Sequence, residues 1–254
     1  MNHLRQLVFH AAESFQQASK SKMADRNILV VGGSSGIGLA LVEELLTQGD
    51  NVYVWSREER GLISLPGVQH FAVDVTTDEL PAGELPDVLH GLAYCPGTIN
   101  LKPFRGLKPD HFRTELEVNL IGAVRCLQAV ERKFKKAEQA AVVLFSTVAV
   151  QRGMPFHAGV ASAKGAIEGL TRSLAAEWAP KIRVNAIAPS LTDTPLAEKL
   201  LSTEDRRKAS AERHPLQRIG TAQEVAQLAT YLLGSGAGFM TGQVIGIDGG
   251  KSRI

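Results

Sequence analysis

A glycine-rich turn over residues 32–38 has the composition and position of a phosphate-binding site. Its glycines are spaced G-x-x-x-G-x-G, at Gly32, Gly36 and Gly38. The turn follows an apolar run over residues 28–31 and precedes a helix-patterned segment over residues 39–48. A strand that passes through glycines into a helix lets backbone N–H groups contact a phosphate at the positive end of the helix. The segment therefore predicts a dinucleotide-binding turn.

The elements that must position this turn alternate between strand-like and helix-like segments. Candidate strands cover residues 27–31, 51–55, 68–73, 89–94, 140–146, 182–187 and 243–247, and candidate helices cover 36–48, 109–136, 157–179, 194–211 and 222–234. Most of the strands are near-continuous apolar runs, which is typical of strands buried on both faces. The pattern predicts an α/β fold, a doubly wound parallel sheet with helices on both faces. Prolines in the connections after the second and third strands leave room for at most one or two helical turns there.

Composition is typical of one soluble α/β domain. The chain has 254 residues, 44% of them hydrophobic, and a formal net charge of +2, so nothing indicates a nucleic-acid or membrane partner. Apolar runs stay well below the roughly 20 residues of a membrane span. Two cysteines in strand and helix patterns, Cys95 and Cys126, favour a reducing, cytoplasmic location without a disulfide framework. No metal site is predicted.

The first 22 residues stand apart from this pattern. They lack the long apolar stretch of a secretory signal. We expect a poorly ordered or weakly helical extension over residues 1–22, rather than a targeting peptide, and a single domain over residues 23–254.

Further motifs follow the glycine turn in order. They are Asp74-Val75 after the third strand, Pro96-Gly97 after the fourth, Asn119, Lys164 within Ala-Ser-Ala-Lys-Gly, Asn185-Ala186-Ile187-Ala188-Pro189, Thr241-Gly242-Gln243 and Asp248-Gly249-Gly250. Each motif alone is weak evidence for a family, but together the motifs resemble those of the short-chain dehydrogenase/reductase family over residues 26–250. The resemblance implies a single Rossmann-type domain with about seven parallel strands, a nicotinamide cofactor and a small-molecule substrate.

The same resemblance implies which residues contact the cofactor. These are Gly32, Ser34, Ser35, Gly36, Ile37, Gly38, Ser56, Arg57, Asp74, Val75, Gly97, Lys164, Thr192 and Thr194. Family members usually form homo-dimers or homo-tetramers, here through residues 109–136, 157–179 and 222–247. An intramolecular core would explain the apolar residues of those segments equally well.

The choice between the two nicotinamide cofactors depends on the end of the second strand. An NAD enzyme places Asp or Glu there for the ribose 2′-hydroxyl, whereas Arg suits a 2′-phosphate. This chain has Ser56 at the usual acidic position, followed by Arg57. A guanidinium can hold a phosphate through two parallel hydrogen bonds. NADP(H) is therefore favoured over NAD(H), with Arg57 as an ordinary solvated surface cation as the alternative.

The catalytic positions of the family are only partly matched. The family uses Ser, Tyr and Lys with an Asn on the preceding helix, and Lys164 and Asn119 match the last two. Thr147 stands where Ser is usual and Val160 where Tyr is usual. A phenol beside an ammonium would protonate the product alkoxide, and valine has no proton to give.

His157 is a candidate replacement for the missing phenol. It lies seven residues before Lys164, as the catalytic Tyr does in the enoyl-thioester reductases of this superfamily, and on the same helical face as Val160 and Lys164. An imidazole can deliver a proton near neutral pH. Alternatively, His157 caps the helix or faces solvent. Two other hydroxyls, those of Ser162 and Tyr94, are expected to pack rather than to act as acids.

Two hypotheses for the function follow. The first is an NADP(H)-dependent oxidoreductase that transfers a hydride to a carbonyl or an activated C=C bond. The second is a cofactor-binding protein with little or no turnover, in a sensory or structural role. Ser190 replaces the usual Gly after Pro189 and either crowds the nicotinamide or supplies a hydroxyl. Residues 191–213 occupy the place of a substrate lid, although a plain amphipathic surface helix would show the same pattern.

Overall fold

The computed structural model describes residues 26–254, and the expectations for residues 1–22 and for a domain start at residue 23 lie outside that range. The strands are β1 Asn27–Val31, β2 Asn51–Ser56, β3 Val68–Ala72, β4 Gly91–Tyr94, β5 Ala140–Phe145, β6 Ile182–Pro189, β7 Thr192–Asp193, β8 Gly220–Thr221 and β9 Val244–Ile247. The α-helices are α1 Gly36–Thr47, α2 Pro109–Leu116, α3 Gly122–Lys136, α4 Val148–Arg152, α5 Ala158–Trp178, α6 Glu204–Ala211 and α7 Ala222–Leu233.

Seven strands form one parallel sheet in the order β3-β2-β1-β4-β5-β6-β9. The predicted α/β class and the seven-stranded parallel sheet are confirmed. The strand order reverses between β1 and β4. On one side of β1 lie β2 and then β3, and on the other side lie β4, β5, β6 and β9. Ligands of doubly wound sheets bind beyond the carboxyl ends of the strands at such a reversal.

Alternate residues of the strands pack into two separate hydrophobic layers. In β1, Leu29 and Val31 enter one cluster, and Ile28 and Val30 enter the other. The first layer includes apolar residues of α3 and α5, and the second includes those of α1 and α7. Because both faces are covered, the central strands are fully buried, which explains their continuous apolar sequences.

Two of the predicted helices differ from the structure. The helix expected over residues 109–136 is interrupted by a π-helical turn at Glu117–Ile121, between α2 and α3. The single helix expected over residues 194–211 was wrong, since the segment forms a 3-10 helix at Pro195–Leu200 and then α6. Thr203 explains the new start, because its side chain accepts a hydrogen bond from the Arg206 N–H at 3.3 Å and caps α6.

The connections flanking β3 are covered as thinly as their prolines predicted. They contain only the short 3-10 helices Arg60–Ser64 and Ala82–Glu84. A short helix that the sequence pattern did not reveal, α4, follows β5 directly. Within residues 26–254, no helix combines the length and apolar character that a membrane crossing requires.

Candidate active site

The glycine turn joins β1 to α1 in a conformation that only glycine supports easily. Gly32 and Gly36 have φ values of +75° and +55°. A Cβ on Gly38 would collide with the carbonyl oxygen of Gly32, so the helix packs directly on the turn. Ser35 is the N-cap of α1, and among the described residues its side chain makes no capping hydrogen bond. The first N–H groups of α1 therefore point toward a space that can receive an anion.

A cavity of about 460 Å³ lies in front of this turn. It contains all the predicted cofactor residues except Lys164 and Thr192: Gly32, Ser34, Ser35, Gly36, Ile37, Gly38, Ser56, Arg57, Asp74, Val75, Gly97 and Thr194. The cavity lies at the reversal between β1 and β4, as the topology requires. The phosphate-cradle geometry and its lining fit an extended dinucleotide, and we call this space the coenzyme cavity.

The end of β2 carries no free carboxylate toward the coenzyme cavity. The Ser56 hydroxyl donates to the Glu58 carbonyl at 2.9 Å and lies 2.9 Å from His70 Nε2, a neighbour that sequence reasoning missed. Arg57 is exposed and lines the cavity. The Arg60 guanidinium, 2.7 Å from the Glu58 carboxylate, lowers the pKa of Glu58 and neutralises its charge locally. Arg57 therefore faces the cavity beside an acid that already has a cationic partner.

Asp74 lines the coenzyme cavity just after β3, the strand next to β2. Its carboxylate accepts hydrogen bonds from the Thr76 hydroxyl at 2.6 Å and the Thr76 N–H at 2.9 Å. These bonds lower the pKa of Asp74, so it stays ionised at neutral pH. A fixed carboxylate of this kind can accept a hydrogen bond from an amino group of a ligand.

A second cavity of about 380 Å³ adjoins the first, and we call it the substrate cavity. The two share wall residues, namely Ile37, Cys95, Gly97, Thr98, Thr194 and Leu196. Among the predicted site residues, Thr147, His157, Lys164 and Thr192 line the substrate cavity, and so does Val160. Asn119 does not line it and is fully buried behind its wall.

Lys164 is the most strongly perturbed cation at this junction. Its side chain is nearly buried, and burial lowers the pKa of the ammonium to about 8. A Cβ on Gly97 would lie 3.5 Å from Lys164 Nζ and 3.4 Å from Asn119 Oδ1. Gly97 thus leaves the passage between the two cavities open, with the Lys164 ammonium at its edge.

Asn119 is held by a buried network that includes a carboxylate missed in the sequence. Asn119 Nδ2 donates to the Glu115 carbonyl at 2.8 Å and to Thr98 Oγ1 at 3.1 Å, and the Thr98 hydroxyl donates to the Glu115 carboxylate. Asn119 Oδ1 is buried without a partner in residues 26–254. An orphaned acceptor beside Lys164 fits a bridging water or a ligand hydroxyl. The π-helical turn at Glu117–Ile121 contains Asn119, and π turns are frequent at functional sites.

The position one helical turn before Lys164 carries a buried aliphatic side chain. Val160 is 6% exposed and lines the substrate cavity without a polar atom. His157 lies at the start of α5, where its Nδ1 is 2.7 Å from the Pro155 carbonyl and so carries the proton. Its Nε2 is then the nitrogen left for a ligand. The alternatives for His157 were that it caps the helix or faces solvent. Its side chain makes no capping bond in the described chain, and it is half-buried rather than fully solvated.

Thr147 both caps a helix and faces the substrate cavity. Its Oγ1 accepts a hydrogen bond from the Ala149 N–H at 3.3 Å at the start of α4. The bond fixes the oxygen and leaves the hydroxyl hydrogen free to be donated to a substrate oxygen.

Tyr94 packs as expected, whereas Ser162 is exposed rather than packed. Burial raises the pKa of Tyr94, and its phenol donates to the Val118 carbonyl at 2.6 Å, so it is a structural group. Ser162 is bonded to the Ala158 carbonyl at 2.7 Å on the exposed side of α5.

Ser190 forms a contact that sequence reasoning did not foresee. Its Oγ lies 2.8 Å from His214 Nε2, while His214 Nδ1 lies 2.8 Å from the Ser210 carbonyl. Nδ1 is therefore the protonated nitrogen, and Nε2 accepts the Ser190 hydroxyl. His214 is 2% exposed, and burial lowers its pKa. The bond ties the end of β6 to the segment after α6, so this hydroxyl is already occupied.

Comparison with known proteins agrees with this geometry. The family model described as Enoyl-(Acyl carrier protein) reductase matches residues 31–252. A tropinone reductase homologue of Arabidopsis thaliana is 37% identical over 88% of this chain and 92% of its own. L-xylulose reductase of Bos taurus is 32% identical over 90% of this chain and 97% of its own.

Solved structures give the same result. A short-chain dehydrogenase family protein from Francisella tularensis superposes with a TM-score of 0.84 at 27% identity, covering 91% of this chain and 100% of that one. ElxO with NADP bound superposes with a TM-score of 0.80 at 27% identity, covering 89% of this chain and 98% of that one. These relationships agree with the glycine turn, the strand order and the place of Lys164. The chain belongs to the short-chain dehydrogenase/reductase family.

Proposed function

We propose that the protein is an NADP(H)-dependent oxidoreductase that reduces a carbonyl or an activated C=C bond of a small molecule. The observation that carries this proposal is the shared wall between the coenzyme cavity and the substrate cavity, with Lys164 and Thr147 lining the latter. A ligand in the first cavity can reach the second past the residues that line both, Gly97 among them. The nicotinamide of a bound coenzyme would supply a hydride at this junction.

The end of β2 supports NADP(H) as the coenzyme. Ser56 places no carboxylate where a 2′-phosphate would lie, and the Glu58 carboxylate is paired with Arg60. Arg57 remains as the exposed guanidinium on the cavity wall and can hold a phosphate by two parallel hydrogen bonds. The structural neighbour ElxO binds NADP, which is consistent with this choice for a related fold.

The residues of the substrate cavity have separable tasks. The Thr147 hydroxyl would donate to the substrate oxygen, and the Lys164 ammonium would bind a ribose hydroxyl and favour negative charge nearby. The product oxygen or carbon still requires a proton, which Val160 cannot give. The imidazolium form of His157, which carries a proton on Nε2 as well as on Nδ1, or a water would deliver it. An enolate formed by C=C reduction is a weaker base than an alkoxide and needs an acid less as it forms, which favours an activated alkene or an undemanding ketone.

Val160 also supports a second candidate function. A family member that binds coenzyme but lacks the phenol can act as a sensor or as a structural subunit with little turnover. This candidate predicts NADPH binding without NADPH consumption across carbonyl and enoyl-thioester substrates.

Coenzyme titration tests the first part of the proposal. We expect NADPH to bind more tightly than NADH, and Arg57→Ala to remove most of the difference, because a charge-assisted phosphate contact is worth about 1.5–3 kcal/mol. Lys135→Ala, which removes an exposed cation paired with Glu131 far along the chain, is the matched control. Equal affinities for the two coenzymes in the wild-type protein would remove the NADP(H) assignment.

Turnover assays separate the two candidate functions and test His157. NADPH oxidation that is lost in both Lys164→Ala and His157→Ala supports the enzyme and the histidine as proton donor. Oxidation that is lost in Lys164→Ala but persists in His157→Ala keeps the enzyme and removes the histidine. Tight NADPH binding with no oxidation in any case favours the non-enzymatic candidate.

A further inference from the structure

The charged side chains that line the substrate cavity all have the same sign. They are Lys164, Arg206, Arg213 and Lys251, and no Asp or Glu of residues 26–254 lines this cavity. The rest of the wall is apolar, hydroxyl-bearing or glycine, apart from the amphipathic His157. A cavity with several cations and no acid in its wall has a positive potential, which low-dielectric walls concentrate.

Lys251 is a second nearly buried cation in this wall. It is only 9% exposed, and the described chain provides no hydrogen bond or ion pair to its ammonium. The Arg152 guanidinium donates to the Lys251 carbonyl, and Arg213 lies close enough to repel the ammonium. Burial, then Arg213 and Arg152, lower the pKa of Lys251.

The Asp248 carboxylate offsets this cluster only in part, because its charge raises the pKa of Lys251 against the larger effects of burial, Arg213 and Arg152. Asp248 accepts the Gly250 N–H on one oxygen and the Ser252 N–H on the other, both at 2.9 Å. These bonds hold the carboxylate in the turn after β9, and it forms no ion pair with Lys251. The cations that line the cavity thus keep an excess of positive charge, because no carboxylate of residues 26–254 lines its wall beside them.

The wall of the substrate cavity combines two kinds of group. Thr147, Val160 and Lys164 come from the predicted catalytic positions, with Lys164 near the shared residue Gly97. Arg213 and Lys251 come from the segment after α6 and from the C-terminal turn. Apolar side chains lie along the same wall, among them Met154, Leu196 and Leu200. A ligand that satisfies all of these groups has a reducible bond, an apolar body and an oxyanion.

We propose that Lys251 and Arg213 bind an oxyanion on the substrate, a carboxylate or a phosphate-type group, so that the substrate is an anionic carbonyl or enoyl compound. This inference rests on the proposed function, because it names the substrate class of the same cavity. Charge-assisted hydrogen bonds from two cations would orient the reducible bond toward Thr147. The bound oxyanion would also remove the repulsion among Lys251, Arg152 and Arg213.

Binding of matched probes tests this inference without requiring turnover. Benzoylpropionate, its methyl ester and the corresponding phosphonate share one aryl ketone and differ only in the terminal group. With NADPH-saturated protein in calorimetric titrations, we expect the acid or the phosphonate to bind about 10- to 100-fold more tightly than the ester, the range that a charge-assisted hydrogen bond supplies. Which of the two binds more tightly distinguishes a carboxylate substrate from a phosphorylated one.

Variants then assign the preference to its residues. Lys251→Gln should reduce the acid-to-ester affinity ratio about 10-fold or more, and Arg213→Gln, at an exposed position where folding is not at risk, should reduce it in the same direction. Lys199→Gln, an exposed lysine in the same segment that does not line the cavity, should leave the ratio unchanged.

The outcomes also separate this inference from the proposed function. An acid and a phosphonate that bind no better than the ester, or a ratio that is unaffected by both variants, overturns the inference while the coenzyme titration still stands. Failure of NADPH to bind at all overturns the proposed function instead.

Discussion

Replacing Val160 with tyrosine tests whether the missing phenol limits the chemistry. The side chain at this position is 6% exposed, lines the substrate cavity and lies one helical turn before Lys164. Side chains at i and i+4 of a helix have Cβ atoms about 5–6 Å apart. A phenol at position 160 would therefore lie close to the Lys164 ammonium, which would lower the pKa of the phenol from its usual value near 10.

The expected gain follows from the value of a positioned acid. General acid catalysis typically contributes about 10²–10⁴ in rate. We expect Val160→Tyr to raise NADPH-dependent reduction of ketones by a factor in that range, and enone reduction by less, because an enolate needs the acid less. The larger ring can be placed in the cavity of about 380 Å³, although overpacking against α5 costs about 1–3 kcal/mol of stability.

The control is Val160→Phe, which adds the ring without the hydroxyl. Both variants should show similar losses in thermal stability, so that a difference in rate belongs to the phenol. Steady-state NADPH oxidation at several pH values is the assay. A tyrosine variant no faster than the phenylalanine variant would refute the reasoning, and would mean that another group already supplies the proton or that chemistry is not rate-limiting.

Three further predictions concern coenzyme binding and stability. Gly38→Ala places a methyl group against the Gly32 carbonyl, so NADPH affinity by fluorescence titration should fall more than tenfold, with a lower melting temperature. The Lys164 ammonium loses its proton near pH 8, so NADPH affinity should weaken as the pH rises through about 8, and Lys164→Gln should flatten this dependence. Asp50→Ala leaves Arg26 without its two-bond partner and should lower the free energy of unfolding in urea by about 3 kcal/mol. An unchanged NADPH affinity in Gly38→Ala would contradict the role of Gly38 in the turn, and an affinity independent of pH would contradict the role of Lys164. An unchanged free energy of unfolding in Asp50→Ala would contradict the role of the Arg26–Asp50 pair.

The sequence predicted those parts of the molecule that depend on local pattern. The strands were found because burial on both faces demands continuous apolar runs such as residues 140–145. The glycine turn was found because Gly32 and Gly38 are required by backbone geometry, and the coenzyme cavity contains the residues predicted for it except Lys164 and Thr192. The single helix over residues 194–211 was mispredicted because its amphipathic pattern hides the break before Thr203, where a cap starts a new helix.

Groups that meet only through the fold could not be predicted. His70 reaches Ser56 from the neighbouring strand, and Glu115 reaches Thr98 across a loop. The partnership of Ser190 with His214 spans 24 residues. Lys251 enters the substrate cavity from the last turn of the chain, so nothing in its own neighbourhood indicates a binding role.

The π-helical turn at Glu117–Ile121 fixes the length of the chain between its two flanking helices. Each residue of an α-helix advances the direction of the side chains by about 100°. A π turn holds about one residue more than an α turn, so removing one residue would let the segment become a regular helix that keeps Gly122–Lys136 near its register but discards the local geometry around Asn119. The same deletion would displace Val118, whose carbonyl accepts the phenol of Tyr94. Insertions and deletions should therefore be far less tolerated here than in the loops that flank the sheet.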